Sequence, residues 1–232
     1  MLDVGCGVGG WVYEMAWRHP SLHISGIDSS AYLVEKARAL VEGLDNVTVF
    51  THDILQLDDA VFTPGAFDLI HMRFLAREVT PKQFPPLIQT LIRICRPGGF
   101  IVWTEAELPI SNSFACQQLC TLVQNGLKVA GRAFTPGNCL GVTAYIGHWL
   151  SNAKCHISQN TAYAIEVSTG TKGHDAFVLQ MRAFGEQVKP FLLELGVTTT
   201  AEFEGILQKM QQEIQQEEFC GIVFLRTVVA VK

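Results

Sequence analysis

The stretch Met1-Leu-Asp-Val-Gly-Cys-Gly-Val-Gly-Gly10 decides how the rest of the chain is read. It begins as a short apolar strand, meets an acid at Asp3 and runs into a glycine-rich turn. A helical pattern follows. Glycine has no side chain in the way and tolerates φ > 0, so such a turn lets backbone N–H groups approach a bound molecule closely. The expectation is a nucleoside-containing ligand held at the start of the chain.

Two cofactor classes use this arrangement. Gly5, Gly7 and Gly10 satisfy the G-x-G-x-x-G spacing of dinucleotide-binding folds. Gly9 extends the run to Asp3-x-Gly5-x-Gly7-x-Gly9. A carboxylate two residues before the first glycine would repel a pyrophosphate and suits a cationic or zwitterionic ligand. S-adenosylmethionine (SAM) carries a sulfonium, an ammonium and no phosphate. The plain alternative is a glycine turn beside a solvated acid.

His23 to Ile27 reads as a second strand that ends at Asp28. An acid at that tip can accept two hydrogen bonds from ribose hydroxyls, in NAD and SAM folds alike. Asp28 could equally cap the following helix, with Ser29 as the alternative cap. Val47 to Thr51 reads as a third strand, followed by His52-Asp53-Ile54.

With these segments in order, the chain resembles a class I SAM-dependent methyltransferase of the small-molecule group that includes the ubiquinone and menaquinone C-methyltransferases. Leu2 to Gly10 resembles the family's first motif, and Gly26-Ile-Asp28 its ribose-binding acid. Asp53-Ile54 resembles its adenine site. Phe67-Asp-Leu-Ile-His-Met-Arg73 resembles its fourth-strand motif, and Arg96-Pro-Gly-Gly-Phe100 the turn into its fifth strand. The likeness covers about residues 1–105. It implies an α/β, Rossmann-like fold: a seven-stranded, mostly parallel sheet with helices on both faces and the last strand antiparallel. It implies SAM as cofactor, S-adenosylhomocysteine as product, and cofactor contacts from Asp3, Gly5, Cys6, Gly7, Gly9, Asp28, Ser29, Asp53, Ile54 and His71. Such methyltransferases carry some tens of residues before the first motif, whereas Met1 here falls inside the first strand. The expectation is a cleft that is open, or closed by a lid-supplying partner or a second copy.

Composition fits one globular enzyme domain over 1–232, with residues 1–105 as a cofactor-binding half and about 106–232 supplying substrate-side helices and the final strands. The chain has 232 residues, 48% of them hydrophobic, which is enough to bury a sizeable core. A net charge of −5 without a clustered basic face argues against nucleic acid as substrate. No apolar run is long enough to span a bilayer, and no secretory signal stands out. Seven cysteines without C-x-x-C spacing fit free thiols in a reducing, cytoplasmic compartment. Cys116 and Cys120, four apart on an expected helix, read as core packing, so no metal site is expected.

Alternating elements argue for a parallel sheet with right-handed crossovers. Helices are expected at about Gly10–His19, Ser30–Val41, Leu87–Cys95, Ser113–Ala130 and Thr143–Asn152, with more helix before the final strand. Phe67–Met72 and Phe100–Thr104 read as strands, as do His156–Val167 and Ile222–Val231. Thr199-x-x-Glu202 has capping-box spacing before an apolar stripe of Phe203, Ile206, Leu207, Met210 and Ile214.

The chemistry implied is methyl transfer to a small acceptor, governed mainly by positioning. A side-chain base is needed only if the acceptor atom arrives protonated. His71 is the candidate catalytic residue, and the alternative is a strand-end histidine that touches the cofactor. Arg73 pairs with Asp68 or with a substrate carboxylate. Glu105 and Glu107 read as solvated acids beyond the fifth strand, with a substrate-binding role as the alternative. Trp11 flanks the cofactor or packs. Phe114, Leu119, Phe134, Tyr145 and Trp149, with His148 among them, suggest an apolar or aromatic acceptor. Other readings are a catalytically silent SAM-fold partner protein and an NAD-dependent oxidoreductase.

Overall fold

The computed structural model describes residues 1–57 and 61–232. In chain order the elements are β1 (Leu2–Val4), α1 (Gly10–Arg18), β2 (Ile24–Asp28), α2 (Ala31–Leu40), β3 (Val47–Thr51), β4 (Phe67–Arg73), α3 (Phe84–Ile94) and β5 (Cys95–Ala106). There follow β6 (Ile110–Ser111), α4 (Phe114–Val129), α5 (Val142–Asn152), β7 (His156–Glu166), α6 (His174–Glu194), α7 (Thr200–Glu213) and β8 (Gly221–Val231). The strand order is β3-β2-β1-β4-β5-β8-β6, with β7 on β8. Pairings among β1 to β5 are parallel, and β8 runs antiparallel to β6. This is the expected Rossmann-like α/β architecture. Its eighth strand, the two-residue β6, has too short a pattern to be seen in the sequence.

The chain forms two compact units. One comprises Met1–Glu105, Ala144–Thr161 and Thr227–Lys232; the other comprises Ala106–Thr143 and Ala162–Arg226. In the first, β1 is buried throughout and lies between β2 and β4. Val12 and Ala16 of α1 pack with Val34 and Ala37 of α2, Ile24 and Val49 in one apolar cluster. α3 starts at Phe84, with Pro85 and Pro86 in its first turn as expected, where a missing N–H costs nothing. The next boundary differs from the sequence expectation. β5 starts at Cys95, and the turn expected before it is absorbed as a register shift against β4.

In the second unit α4, α6 and α7 pack on one another. Close approach is possible where side chains are absent: a Cβ on Gly126 would lie 2.6 Å from Leu192 Cδ2, and one on Gly185 2.4 Å from Leu207 Cδ1. The apolar stripe of α7, with Ile214, is buried. The capping box at its start forms by half. Thr199 accepts from the Glu202 amide, while the Glu202 carboxylate instead takes the Thr198 hydroxyl at 2.9 Å. Among the described residues, no helix is long and apolar enough to cross a membrane.

Candidate functional site

The parallel register gathers the motif residues at the carboxyl ends of β1 to β4, where ligands bind in open α/β sheets. Asp3 pairs with Gly26 on one side and His71 on the other. The turn after β1 is hung from β2, since Gly5 and Cys6 both donate to the Ile27 carbonyl at 2.9 Å. Gly5, Gly7 and Gly9 have φ of +72°, +55° and +82°, the left-handed region that glycine enters without cost. Their surroundings differ. A Cβ on Gly5 would lie 2.6 Å from Leu75 Cδ2, and one on Gly9 2.8 Å from Ala37 Cβ. Around Gly7 there is open space. Gly9, which faces α2 backbone, is therefore required by packing; Gly5 faces only the tip of the Leu75 side chain, and Gly7 is free of any packing demand.

Asp28 reaches across to this turn. Its Oδ2 accepts from the Gly7 amide and its Oδ1 from the Ser30 amide, both at 2.9 Å. The helix cap is neither Asp28 nor Ser29, as expected, but Ser30, whose hydroxyl accepts from Leu33. Ser29 is exposed. Each Asp28 oxygen keeps a second lone pair, so the turn is braced and acceptor capacity remains. The Asp28 carbonyl accepts from the His52 amide, and Asp53 lies two residues past Thr51, the register partner of Asp28. Asp53 caps the short 3₁₀ turn Ile54–Gln56, accepting from the Leu55 amide and the Gln56 side chain. Ile54 is buried. The Cys6 side chain belongs to the core: it would touch a Cβ on Gly26 at 3.2 Å, and burial, then the charges of Asp3 and Asp28, push its thiol up to about 12.

His71 and Asp3 form a buried pair. Nδ1 of the imidazole lies 2.7 Å from Asp3 Oδ1, with the residues 6% and 3% exposed. Trp11 lies flat on the ring, with centroids 4.1 Å apart and an interplanar angle of 7°. This bond assigns the imidazole proton to Nδ1 when the ring is neutral and leaves the lone pair on Nε2. Asp3, expected as a cofactor contact, thus spends one oxygen on orienting His71.

Sequence reasoning missed the role of Glu105. Expected as a solvated loop acid, it lies inside β5 and is 1% exposed. Its Oε1 accepts from the Leu75 amide and from Trp103 Nε1, both at 2.9 Å. Burial pushes its carboxyl up to about 7, against the opposing effect of these donors. Extending the period-two alternation of Ile101 and Trp103 by one step would have put Glu105 on the same buried face. It holds the segment after β4, where Phe74 takes a left-handed backbone with φ 59°, a conformation that costs a bulky residue energy.

Other expectations change as well. The partner of Asp68 is Arg96 rather than Arg73, whose guanidinium lies over the Phe74 ring. Glu107 is half-buried and accepts from the Gly141 and Thr143 amides. Leu119 and Phe134 are core residues of the helical unit, and Phe114 is exposed. His148 is exposed and bonds to Asn152. Trp149 stacks on Phe84, Trp103 and Tyr145 at 5.1, 5.8 and 5.1 Å. Cys116 and Cys120 are buried on α4. No cluster of three metal-ligating side chains exists among the described residues.

Comparison with known proteins places this geometry. Residues 1–99 match a family model described as methyltransferase domain. Trans-aconitate 2-methyltransferase of Deinococcus radiodurans is 30% identical over 135 residues, 58% of this chain and 47% of that protein. Demethylmenaquinone methyltransferase of Staphylococcus aureus is 28% identical over 109 residues, 47% of this chain and 43% of that protein. The match spans about half the length of these relatives or less. The solved structure of Haemonchus contortus phosphoethanolamine N-methyltransferase 2, with phosphomonomethylethanolamine and S-adenosylhomocysteine, superposes with a TM-score of 0.57 at 19% identity, covering 100% of this chain and 48% of that one. At that identity the likeness shows the fold. Over residues 1–99, and in its fold, this chain is similar to methyltransferases.

Proposed function

We propose that this chain transfers a methyl group from SAM to a small apolar or aromatic acceptor. The observation that carries this reading is the open, left-handed Gly7 turn braced by Asp28, with Asp53 one strand further along. The donor set suits SAM: three carboxylates and no lysine or arginine among the expected cofactor contacts favour a cationic sulfonium over a pyrophosphate. In this reading Gly7 admits close approach of the ligand and Asp28 accepts from its ribose. Asp53 accepts from the adenine amine, against which Ile54 packs. Ser29 lines the same edge. Gly5, Gly9 and Cys6 act through the shape of the turn.

Bound SAM supplies a methyl group already activated by the sulfonium. The residues of the chain then have to orient the acceptor and, where its reacting atom bears a proton, accept that proton. His71 is placed for the second task, because Asp3 holds Nδ1 and so leaves the Nε2 lone pair as the basic one. The ring column of Tyr145, Trp149, Trp103 and Phe84, with Tyr145 37% exposed, supports a flat or apolar acceptor.

Calorimetric titration with SAM, S-adenosylhomocysteine and NADH tests the cofactor assignment. Binding of the two adenosyl ligands alone is expected, and selective NADH binding overturns it. Asp28→Ala should weaken SAM binding by about 1.5–3 kcal/mol through loss of charge-assisted bonds. An unchanged isotherm removes Asp28 from the site. His71→Ala should lower turnover by about a hundredfold or more at unchanged SAM affinity. A parallel loss of affinity would assign the ring to the cofactor instead.

A further inference from the structure

β7 is an edge strand of unusual openness. Its one neighbour among the described residues is β8. Nine of its 11 residues are exposed, and Ile157 and Thr161 are half-buried. An edge strand presents every second N–H and C=O outward and is a template for another strand. Proteins usually blunt such edges with lysine, proline or a very short strand. His156-Ile-Ser-Gln-Asn-Thr-Ala-Tyr-Ala-Ile-Glu166 has none of these; its one imidazole, His156, is at one end and its one carboxylate, Glu166, at the other.

That sequence is complementary to itself when reversed about Thr161. Antiparallel pairing about a two-fold axis through Thr161 sets His156 opposite Glu166, Ile157 opposite Ile165, and Gln159 opposite Tyr163. Residues 157, 159, 161, 163 and 165 share one face, so the two Ile pairs and the Tyr–Gln pairs line up along it. Ile165 and Tyr163 are 43% and 45% exposed in the single chain. At the ends, each histidine meets a carboxylate, which specifies this register over a one-residue slip.

We propose that β7 is a self-association edge, through which two copies of this chain pair antiparallel about Thr161 and continue the sheet from one to the other. The partner is a second copy because antiparallel reversal meets the His156–Glu166 end pairs and the Ile157–Ile165 pairs together. An interface built on one strand is small, so the dimer is of micromolar strength. It is independent of the cofactor assignment.

Sedimentation velocity of the full chain over about two decades of micromolar concentration tests this. Wild type should shift from 25.6 kDa toward twice that mass. Thr161→Lys sets two ammonium groups face to face and should leave only monomer. Glu166→Lys, at an exposed end, should weaken association several-fold to about tenfold, since each dimer holds two such pairs. Adding His156→Glu to Glu166→Lys sets a carboxylate opposite each ammonium and should restore it. Circular dichroism monitors folding throughout. A wild type that stays monomeric overturns the proposal, as does a dimer indifferent to all three changes.

Discussion

Glu105→Leu is expected to cost about 2–5 kcal/mol of stability, because the Leu75 amide and the indole of Trp103 would lose their buried acceptor. Glu105→Gln should behave in the opposite way at neutral and higher pH. The Leu75 amide and the Trp103 indole meet one oxygen, Oε1, which a glutamine retains, and the Ala76 amide is a third donor to this group. The folded carboxyl titrates at about 7, above its ordinary 4.5. Below 4.5 folded and unfolded chains both carry this proton, and it adds no pH dependence. Between 4.5 and 7 the unfolded chain binds fewer protons than the folded one, so stability falls as pH rises, by up to about 3 kcal/mol, and is level above 7. The Arg77 guanidinium nearby carries a fixed charge that opposes the shift. Urea denaturation of wild type and Glu105→Gln across this range checks the effect. The difference between the two curves should grow with pH and then level off. Parallel curves would mean that Glu105 is already ionised when folded.

Gly9→Ala and Gly7→Ala should separate packing from binding within one turn. At Gly9 the new Cβ would lie 2.8 Å from Ala37 Cβ and 3.1 Å from Ala37 Cα, with φ at +82°. Backbone in α2 cannot step aside cheaply, so overpacking adds to left-handed strain, for about 2–4 kcal/mol in all. A chain of this size should lose about 2–4 °C in Tm for each kcal/mol. At Gly7 the Cβ meets nothing in the protein. Stability should fall by the backbone strain alone, about 1 kcal/mol. SAM affinity should nevertheless fall by about tenfold or more, because the methyl occupies the space assigned to the ligand. Wild-type affinity in folded Gly7→Ala would remove this turn from the cofactor site. A Gly9→Ala protein as stable as wild type would show that α2 can yield.

Much of the fold is local and therefore legible in one chain. A strand that ends in Asp3 and meets alternating glycines, an acid at the next strand tip, and a third acid after the third strand each follow from short-range chemistry: left-handed turns need glycine, and strand tips present their last side chain. Burial of β5 on its inner face was likewise written as alternation, though Glu105 was the step at which polarity argued for solvent and position argued for core. Position won because two buried donors were waiting for an acceptor.

By itself, then, the sequence determined the alternating α/β order, the parallel core of the sheet and the candidate cofactor loop, since period, spacing and glycine stereochemistry are properties of neighbouring residues. Only tertiary structure decided the rest. The Asp3–His71 bond joins residues 68 apart through the β1–β4 register. Trp11 lies on His71 because α1 folds back over that pair. Ser30 rather than Asp28 caps α2 because Asp28 is already engaged by Gly7. Gly9 and Gly7 look alike in the chain and differ only in what stands opposite them. These are long-range contacts, and no local pattern encodes which partner a side chain will meet once the sheet has closed.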